Sequence, residues 1–271
     1  MEFRIPRRFC SAMLSAMLSA MLSAMLLVGS MVACDEAKPE KRLLAPAPAP
    51  VEEPEPEPYV KKQAPSFSID EVGPQVGITR ATLVQANGSP DALGLEQLKK
   101  ELSAVKTFID GKEVKLVVER MAKPDWVSTY VEELGALGAA RVDVTTETRG
   151  DFPTTVSFYA ASRLDKPDPC SLVGSITEDR GTALWRLSGG TARKRQKGMS
   201  GPDFSITSDT LLSLKKKCES DVFFVHGAEG VEWGPVYDFA ASAVALPEAG
   251  IRRAAVPHRR PTLGRPVVLD Y

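Results

Sequence analysis

The sequence predicts an α+β fold of two small modules, each a mixed sheet with two helices on one face. A signal peptide and a disordered linker rich in proline and glutamate precede them. Three observations lead to this prediction: an apolar N-terminal stretch that ends in a cysteine, a Pro/Glu-rich stretch, and a helix–strand–helix–strand pattern that occurs twice. The predicted boundaries are 1–33 for the signal, 34–65 for the linker, 66–163 and 164–256 for the modules, and 257–271 for an irregular tail.

The N-terminal segment is typical of an exported protein. Three arginines, Arg4, Arg7 and Arg8, precede an apolar stretch that repeats Ser-Ala-Met-Leu four times and ends at Ala33-Cys34. A charged start, an apolar run and a small residue before the cleavage point form a secretory signal. The Ala33-Cys34 junction resembles the bacterial lipobox, whose cysteine is diacylated and becomes the first residue of the mature protein. The resemblance implies that a palmitate-type lipid on Cys34 holds the rest of the chain at a membrane.

Two alternatives to this interpretation stay open. Residues 11–33 are also long enough to span about 30 Å of hydrocarbon as an uncleaved anchor. Translation from Met13 or Met17 would remove all three arginines. The lipoprotein and the anchored form both place the folded part outside the cytoplasm. Asp35 favours the inner membrane, as in enterobacterial lipoproteins, with the outer membrane as the alternative.

The charge of the chain argues against a nucleic-acid partner. The sequence has 34 basic and 35 acidic residues, and removal of residues 1–33 takes away three arginines and Glu2. Such a balance is not that of a nucleic-acid-binding protein. The dense basic run 193–197 is interpreted as a solvated loop, with a contact to an anionic polymer as the alternative.

Four cysteines divide into two groups. Cys10 is lost with the signal and Cys34 carries lipid, so Cys170 and Cys218 remain in an oxidising compartment, where we expect them to form a disulfide. Neither belongs to a CxxC pair, and His226 and His258 are the only histidines. We therefore predict no metal site and no cofactor.

The linker carries the sequences Ala-Pro-Ala-Pro-Ala-Pro and Glu-Pro-Glu-Pro-Glu-Pro. Such a stretch has little apolar surface to bury and favours extended polyproline II. At about 3.1 Å per residue it could reach roughly 90 Å from the membrane.

The first copy of the repeat begins with an apolar helical stripe that includes Leu98 and Leu102. A strand over 114–118, a helix opened by Pro124 and a strand over 141–146 follow. We place the leading strand of this module near 75–83 and a closing strand over 154–160.

The second copy has the same order. A helix capped by Ser208-Asp209 precedes a strand over 222–225, a helix that begins at Trp233, and a weak strand over 251–256. The leading strand is placed near 183–187, and 267–269 is a candidate edge strand. Trp126-x3-Tyr130 matches Trp233-x3-Tyr237 at the start of the second helix of each copy.

Residues 222–244, VFFVHGAEGVEWGPVYDFAASAV, resemble the periplasmic domain of the ExbD/TolR biopolymer-transport family, and 115–145 is a looser match. The resemblance implies the order strand, helix, strand, helix, strand, a place in a TonB/Tol-type energy-transducing complex, and a homodimer. Members of that family have a transmembrane helix with an aspartate that takes part in proton flow. Residues 11–33 contain no acid, so the resemblance implies a relative without the motor part.

Three functions follow from these features. The favoured one is a non-enzymatic, membrane-tethered binding or accessory protein of the envelope, and the second is a structural or peptidoglycan-contacting lipoprotein. An envelope hydrolase, with His226 beside Glu229 and Glu232, is the third, although the chain lacks GxSxG and HExxH motifs.

Candidate partner-binding residues are aromatic. Trp126, Trp233 and Tyr237 could anchor a partner if exposed. The alternative is that they close the apolar helix stripe over the sheet, which their shared helical spacing favours.

Overall fold

Two stretches of alternating strands and helices make up the fold. The computed structural model describes residues 63–83, 91–199 and 201–269. The predicted signal, the predicted lipidation site Cys34 and residues 34–62 of the predicted linker lie outside these ranges.

The first half has six strands and two helices. In chain order they are β1 (Phe67–Ile69), β2 (Pro74–Val76), β3 (Thr79–Arg80), α1 (Ala92–Ala104), β4 (Glu113–Val118), α2 (Pro124–Ala136), β5 (Arg141–Thr145) and β6 (Thr155–Ala160). Asp91 caps α1 by accepting a hydrogen bond from Leu93 N, and Pro124 occupies the first turn of α2, where its missing N–H costs nothing.

The second half has five strands and two helices. They are β7 (Leu172–Ile176), β8 (Thr182–Arg186), β9 (Arg193–Arg195), α3 (Phe204–Lys215), β10 (Val222–Gly227), α4 (Trp233–Val244) and β11 (Arg253–Val256). The N-cap of α3 is Asp203, which accepts from Ser205 N and Ile206 N, so the helix begins one turn before the predicted Ser208-Asp209 cap. In that first turn Phe204 and Ile206 alternate with Ser205 and Thr207, a pattern that does not show the helical period.

All the strands named here belong to one sheet, in the order β3-β2-β1-β4-β5-β6-β11-β10-β7-β8-β9. On either side of β6, the orders β3-β2-β1-β4-β5 and β9-β8-β7-β10-β11 correspond strand by strand. Corresponding neighbours also pair in the same sense, antiparallel in the outer hairpins and parallel from β1 to β5 and from β7 to β11. The repeated element order predicted from the sequence is therefore present.

The division into two separate modules is not confirmed, because β6 joins the halves. It pairs antiparallel with β5, as the prediction of a closing strand over 154–160 required, and its other edge pairs parallel with β11. Because β6 is hydrogen-bonded to a strand on each side, the sheet has no open edge between the two halves.

The leading strands differ from the prediction. They are β1 and β7, whereas 75–83 and 183–187 fall mainly in the antiparallel strands β2, β3 and β8 beside them. Gly174 interrupts the apolar pattern of β7 and conceals it. A Cβ at this position would lie 2.4 Å from the Phe223 ring and 2.7 Å from the Phe239 ring, so the close packing of α4 on the sheet requires glycine.

The main core lies between one face of the sheet and all four helices. Leu98 of α1, Val131 of α2, Leu211 of α3 and Ala240 of α4 belong to a single buried cluster. In the first half the opposite face is polar, with Lys115 exposed and Val117 half-exposed.

In the second half the opposite face is also covered. Val173, Trp185 and Phe224 form a second cluster there, against which Leu263 and Val267 of the C-terminal tail pack. Trp185 Nε1 donates to Arg265 O, and Val267 N donates to Leu187 O. The tail is irregular over 257–269, as predicted, and residues 267–269 do not form the candidate edge strand.

Candidate functional site

The N-termini of α2 and α4 meet over the middle of the molecule. Trp233 N donates to Ala122 O and Gly234 N donates to Arg120 O, each at 2.8 Å. Arg120 also binds Asp238 of α4 through two hydrogen bonds, at 3.0 and 2.7 Å. The hydrogen bond to Asp238 raises the pKa of the Arg120 guanidinium. The N-terminus of α4, in the second half, is thus held against the β4–α2 connection of the first half.

His226 lies at the end of β10 and is buried, with 1% of its surface exposed. The sequence placed it in a loop beside Glu229 and Glu232. Its ring instead contacts the Gly227 carbonyl oxygen through Nδ1 at 2.7 Å and faces Asp125 Oδ1 through Nε2 at 3.3 Å. The latter contact has the distance of an ion pair without the alignment of a good hydrogen bond.

Asp125, at the N-terminus of α2, contacts the side chains of His226 and Arg260. Interaction with His226 holds the pKa of this carboxyl below its usual range, assisted by Arg260. Arg260, from the C-terminal tail, donates through Nη2 to Asp125 Oδ2 at 2.9 Å and through Nη1 to Glu229 Oε2 at 3.4 Å. These contacts join β10, α2 and the tail.

A cleft of about 780 Å³ opens beside this group, at the carboxyl ends of β7 and β10. Ligand sites in α/β sheets commonly lie at such strand ends. The lining has polar and apolar parts and carries both charges; it includes Ser175, Glu178, Lys194, Arg195, Arg260 and Leu263.

One wall of the cleft is the basic run that the sequence interpreted as a loop. That interpretation is wrong for its first three residues, since Arg193–Arg195 form β9, a strand at the edge of the sheet. All three residues are exposed. The Lys194 side chain makes no hydrogen bond or ion pair with the part of the chain that the structure describes.

The three aromatic candidates lie in the core. Trp233 and Tyr237 are fully buried and Trp126 is 6% exposed. Trp233 Nε1 donates to Thr146 Oγ1 at 2.9 Å, and the Tyr237 hydroxyl lies 3.2 Å from Val144 O. Burial raises the pKa of Tyr237. Their apolar surface closes the helix layer over the sheet, so none presents a ring to a partner in this structure.

The predicted disulfide between Cys170 and Cys218 is confirmed. It connects the start of β7 to the segment between α3 and β10. Lys215 Nζ donates to the carbonyl oxygens of Cys218 and Ser220, which fixes the same segment.

His226, beside the cleft, is enclosed by its surroundings. Its Nδ1 contacts the Gly227 carbonyl oxygen and its Nε2 faces Asp125 Oδ1, so both ring nitrogens point into the protein. Among the described residues, no group of three or more His, Cys, Asp and Glu side chains is placed to hold a metal ion. None of the described helices is long and apolar enough to span a bilayer.

No protein-family model, no curated protein and no solved structure matches this chain.

Sequence reasoning missed Asp125 as the partner of His226 and Arg260 as the partner of Asp125. They lie 101 residues before and 34 residues after His226 in the chain; Asp125 contacts His226, and Arg260 contacts Asp125. The one available signal was that Asp125 follows Pro124 at the start of a helix, where a carboxylate suits the helix dipole.

Proposed function

We propose that this chain is a membrane-tethered, non-enzymatic binding protein of the bacterial cell envelope, with its folded part in the periplasm. The observation that carries the proposal is the Cys170–Cys218 disulfide, because such bonds persist in oxidising compartments. The lipobox-like Ala33-Cys34 junction supplies the tether, and the Pro/Glu-rich residues between Cys34 and the fold supply the reach.

The cleft supports binding rather than hydrolysis. It has charged groups of both signs, while its neighbour His226 is enclosed and held on both sides. The basic edge strand β9 and the cleft together form the surface on which we expect a partner to lie.

A place beside a TonB/Tol-type energy-transducing complex is the more specific candidate. Its support is the strand–helix–strand–helix–strand order, which runs through β1, α1, β4, α2 and β5 and again through β7, α3, β10, α4 and β11, with hairpin strands inserted after β1 and β7. This is the order of the ExbD/TolR periplasmic domain that the sequence resembles. A structural or peptidoglycan-contacting lipoprotein is the alternative.

Acylation tests the tether. Cells that express the chain are labelled with an alkyne analogue of palmitate, and the purified protein is analysed by mass spectrometry. We expect label on the N-terminal cysteine of a chain that begins at Cys34, and no label on a Cys34→Ser variant. Cys10→Ser is the matched control and should be labelled like the parent. An unlabelled parent chain with free thiols at Cys170 and Cys218 would contradict the proposal.

Site-specific crosslinking in intact cells then identifies the partner. A photoreactive amino acid at Gln196, in the cleft wall, should capture an envelope component, whereas one at exposed Lys115 on the polar sheet face should not. Motor subunits in the Gln196 adduct would favour the TonB/Tol-type complex, and cell-wall fragments would favour the alternative.

A further inference from the structure

The strand β9 is an edge that the fold leaves open. It pairs with β8 alone, with Ala183 opposite Lys194, and no other described strand lies on its outer side. An edge strand of this kind offers a row of backbone N–H and C=O groups to another chain.

The edge is held in place by α3. Arg195 Nε donates to Thr210 Oγ1 at 3.0 Å and Arg193 Nη1 donates to Ser213 Oγ at 3.3 Å. Because alternate residues of a strand point to opposite faces, these two arginines lie on the helix side of the sheet and Lys194 lies on the other side. Lys194 and Arg195 both line the cleft. A strand fixed in this way loses little freedom when it binds.

Close packing maintains the geometry of this edge. Gly181, in the turn that connects β7 to β8, approaches β9 so closely that a Cβ would lie 2.4 Å from Arg195 O. The turn is closed by hydrogen bonds from Thr177 N to Gly181 O and from Arg180 N to Thr177 O. The position of β9 is thus set from both the turn and the helix.

The charge of this edge selects its partner. Charged side chains on an edge strand discourage pairing with a neutral or basic strand, whereas opposite charges across a strand pair stabilise it. β9 consists of three basic residues, and Lys194 has no acidic partner among the described residues. An added strand with acidic side chains would supply one.

We infer that β9 is the docking edge for an extended acidic peptide segment of an envelope partner, which pairs with it as an additional strand and places an acidic side chain against Lys194 in the cleft. The inference deepens the proposed function by stating what class of ligand the binding surface takes, and it rests on that function. A peptide fits better than a polyanion, because only a peptide satisfies the open backbone groups as well as the charges.

The test uses the full-length chain purified in detergent micelles and a fluorescent acetylated peptide, (Thr-Glu-Val-Glu)2-amide, with binding followed by fluorescence anisotropy at one salt concentration. We expect saturable binding that Lys194→Glu weakens by about tenfold or more, since one attraction becomes a repulsion. The matched control Lys217→Glu makes the same charge change at an exposed position beyond α3 and should bind like the parent. Circular dichroism verifies that both variants are folded.

A second pair of probes separates a strand from a mere anion. In one form of the same peptide the backbone nitrogens of the odd-numbered residues are methylated, and in a second form those of the even-numbered residues. These two sets of N–H groups point to opposite edges of the strand, and both forms keep every charge. We expect one of them to lose binding by at least about tenfold, since its donors to β9 are gone. Equal binding of both forms and of polyglutamate would show that only charge is recognised and would overturn the inference, as would no binding of the parent peptide. Acylation of Cys34 is measured separately, so failure here leaves the tether intact.

Discussion

Two tryptophans that occupy equivalent positions in the repeat have different surroundings. Trp233 lies against Phe158 and Tyr237, with ring centroids 5.6 and 5.9 Å away, and donates to Thr146 Oγ1. Trp126 has the Lys123 ammonium 5.0 Å from its ring centre, and its buried Nε1 has no hydrogen-bond partner in the described structure. Sequence equivalence therefore does not imply energetic equivalence at these sites.

This difference gives a prediction for matched substitutions. Trp233→Phe should lower the free energy of unfolding by about 1–3 kcal/mol more than Trp126→Phe, because only the former leaves a buried hydroxyl, that of Thr146, without its donor. Urea unfolding of the two variants measures the difference. Equal losses would show that the Thr146 hydrogen bond contributes nothing net.

At the scale of the elements, the contact between the β4–α2 connection and α4 holds the halves together. Arg120 also donates to Glu147 O, in the loop between β5 and β6, so one guanidinium binds both a helix of the second half and a loop of the first. Asp238 is 3% exposed, and Arg149 N approaches it at 3.4 Å. A carboxylate this buried destabilises the fold unless a cation such as Arg120 balances its charge.

Removal of the guanidinium should therefore be costly. Arg120→Met should lower the free energy of unfolding by about 3–5 kcal/mol, because a buried carboxylate loses its counter-charge. The double variant Arg120→Met/Asp238→Asn should recover part of this loss, since no buried charge remains unpaired. Lys99→Met, which breaks the exposed pair with Glu96, is the control and should change stability little. Urea unfolding curves compare the variants; a cost for Arg120→Met no larger than that for Lys99→Met would show that the contact is not stabilising.

At the scale of the whole molecule, one sheet and one main core run through both halves. Such a structure should unfold in one cooperative transition. We expect guanidinium denaturation curves from far-ultraviolet circular dichroism and from tryptophan fluorescence to coincide, measured on a Cys34→Ser chain that lacks lipid. Two separated transitions would instead indicate the independent modules that the sequence predicts.

The repeat was visible in the sequence because its helices and parallel strands follow simple periodic patterns. The stripe of Leu98 and Leu102 and the apolar run at 222–225 both lie where the pattern put them. The short leading strands were missed. Strand β1 has only three residues and β7 contains a glycine, so neither shows the alternation of apolar and polar residues that predicts a strand. The joining of the two sheets depends on which strand pairs with the far edge of β6, a contact between distant residues that no local pattern encodes.

The candidate site was predictable only in part. The pairing of Cys170 with Cys218 followed from a count of cysteines, because two thiols allow one bond. The contacts of Asp125 with His226 and with Arg260 join residues far apart in the chain, which is a tertiary property. The aromatic candidates illustrate the opposite case, in which a pattern typical of a core is also typical of a binding surface until burial is known.

The position of β6 has a consequence for biogenesis. If the chain is exported as we propose, the N-terminal half emerges first, and its edge at β6 stays unpaired until the final strand, β11, has followed. In that interval the unpaired edge of β6, around Phe158, can pair with other unfolded chains. A periplasmic chaperone or rapid completion of translocation would guard this nascent intermediate, and truncated forms that end before β11 should accumulate as aggregates.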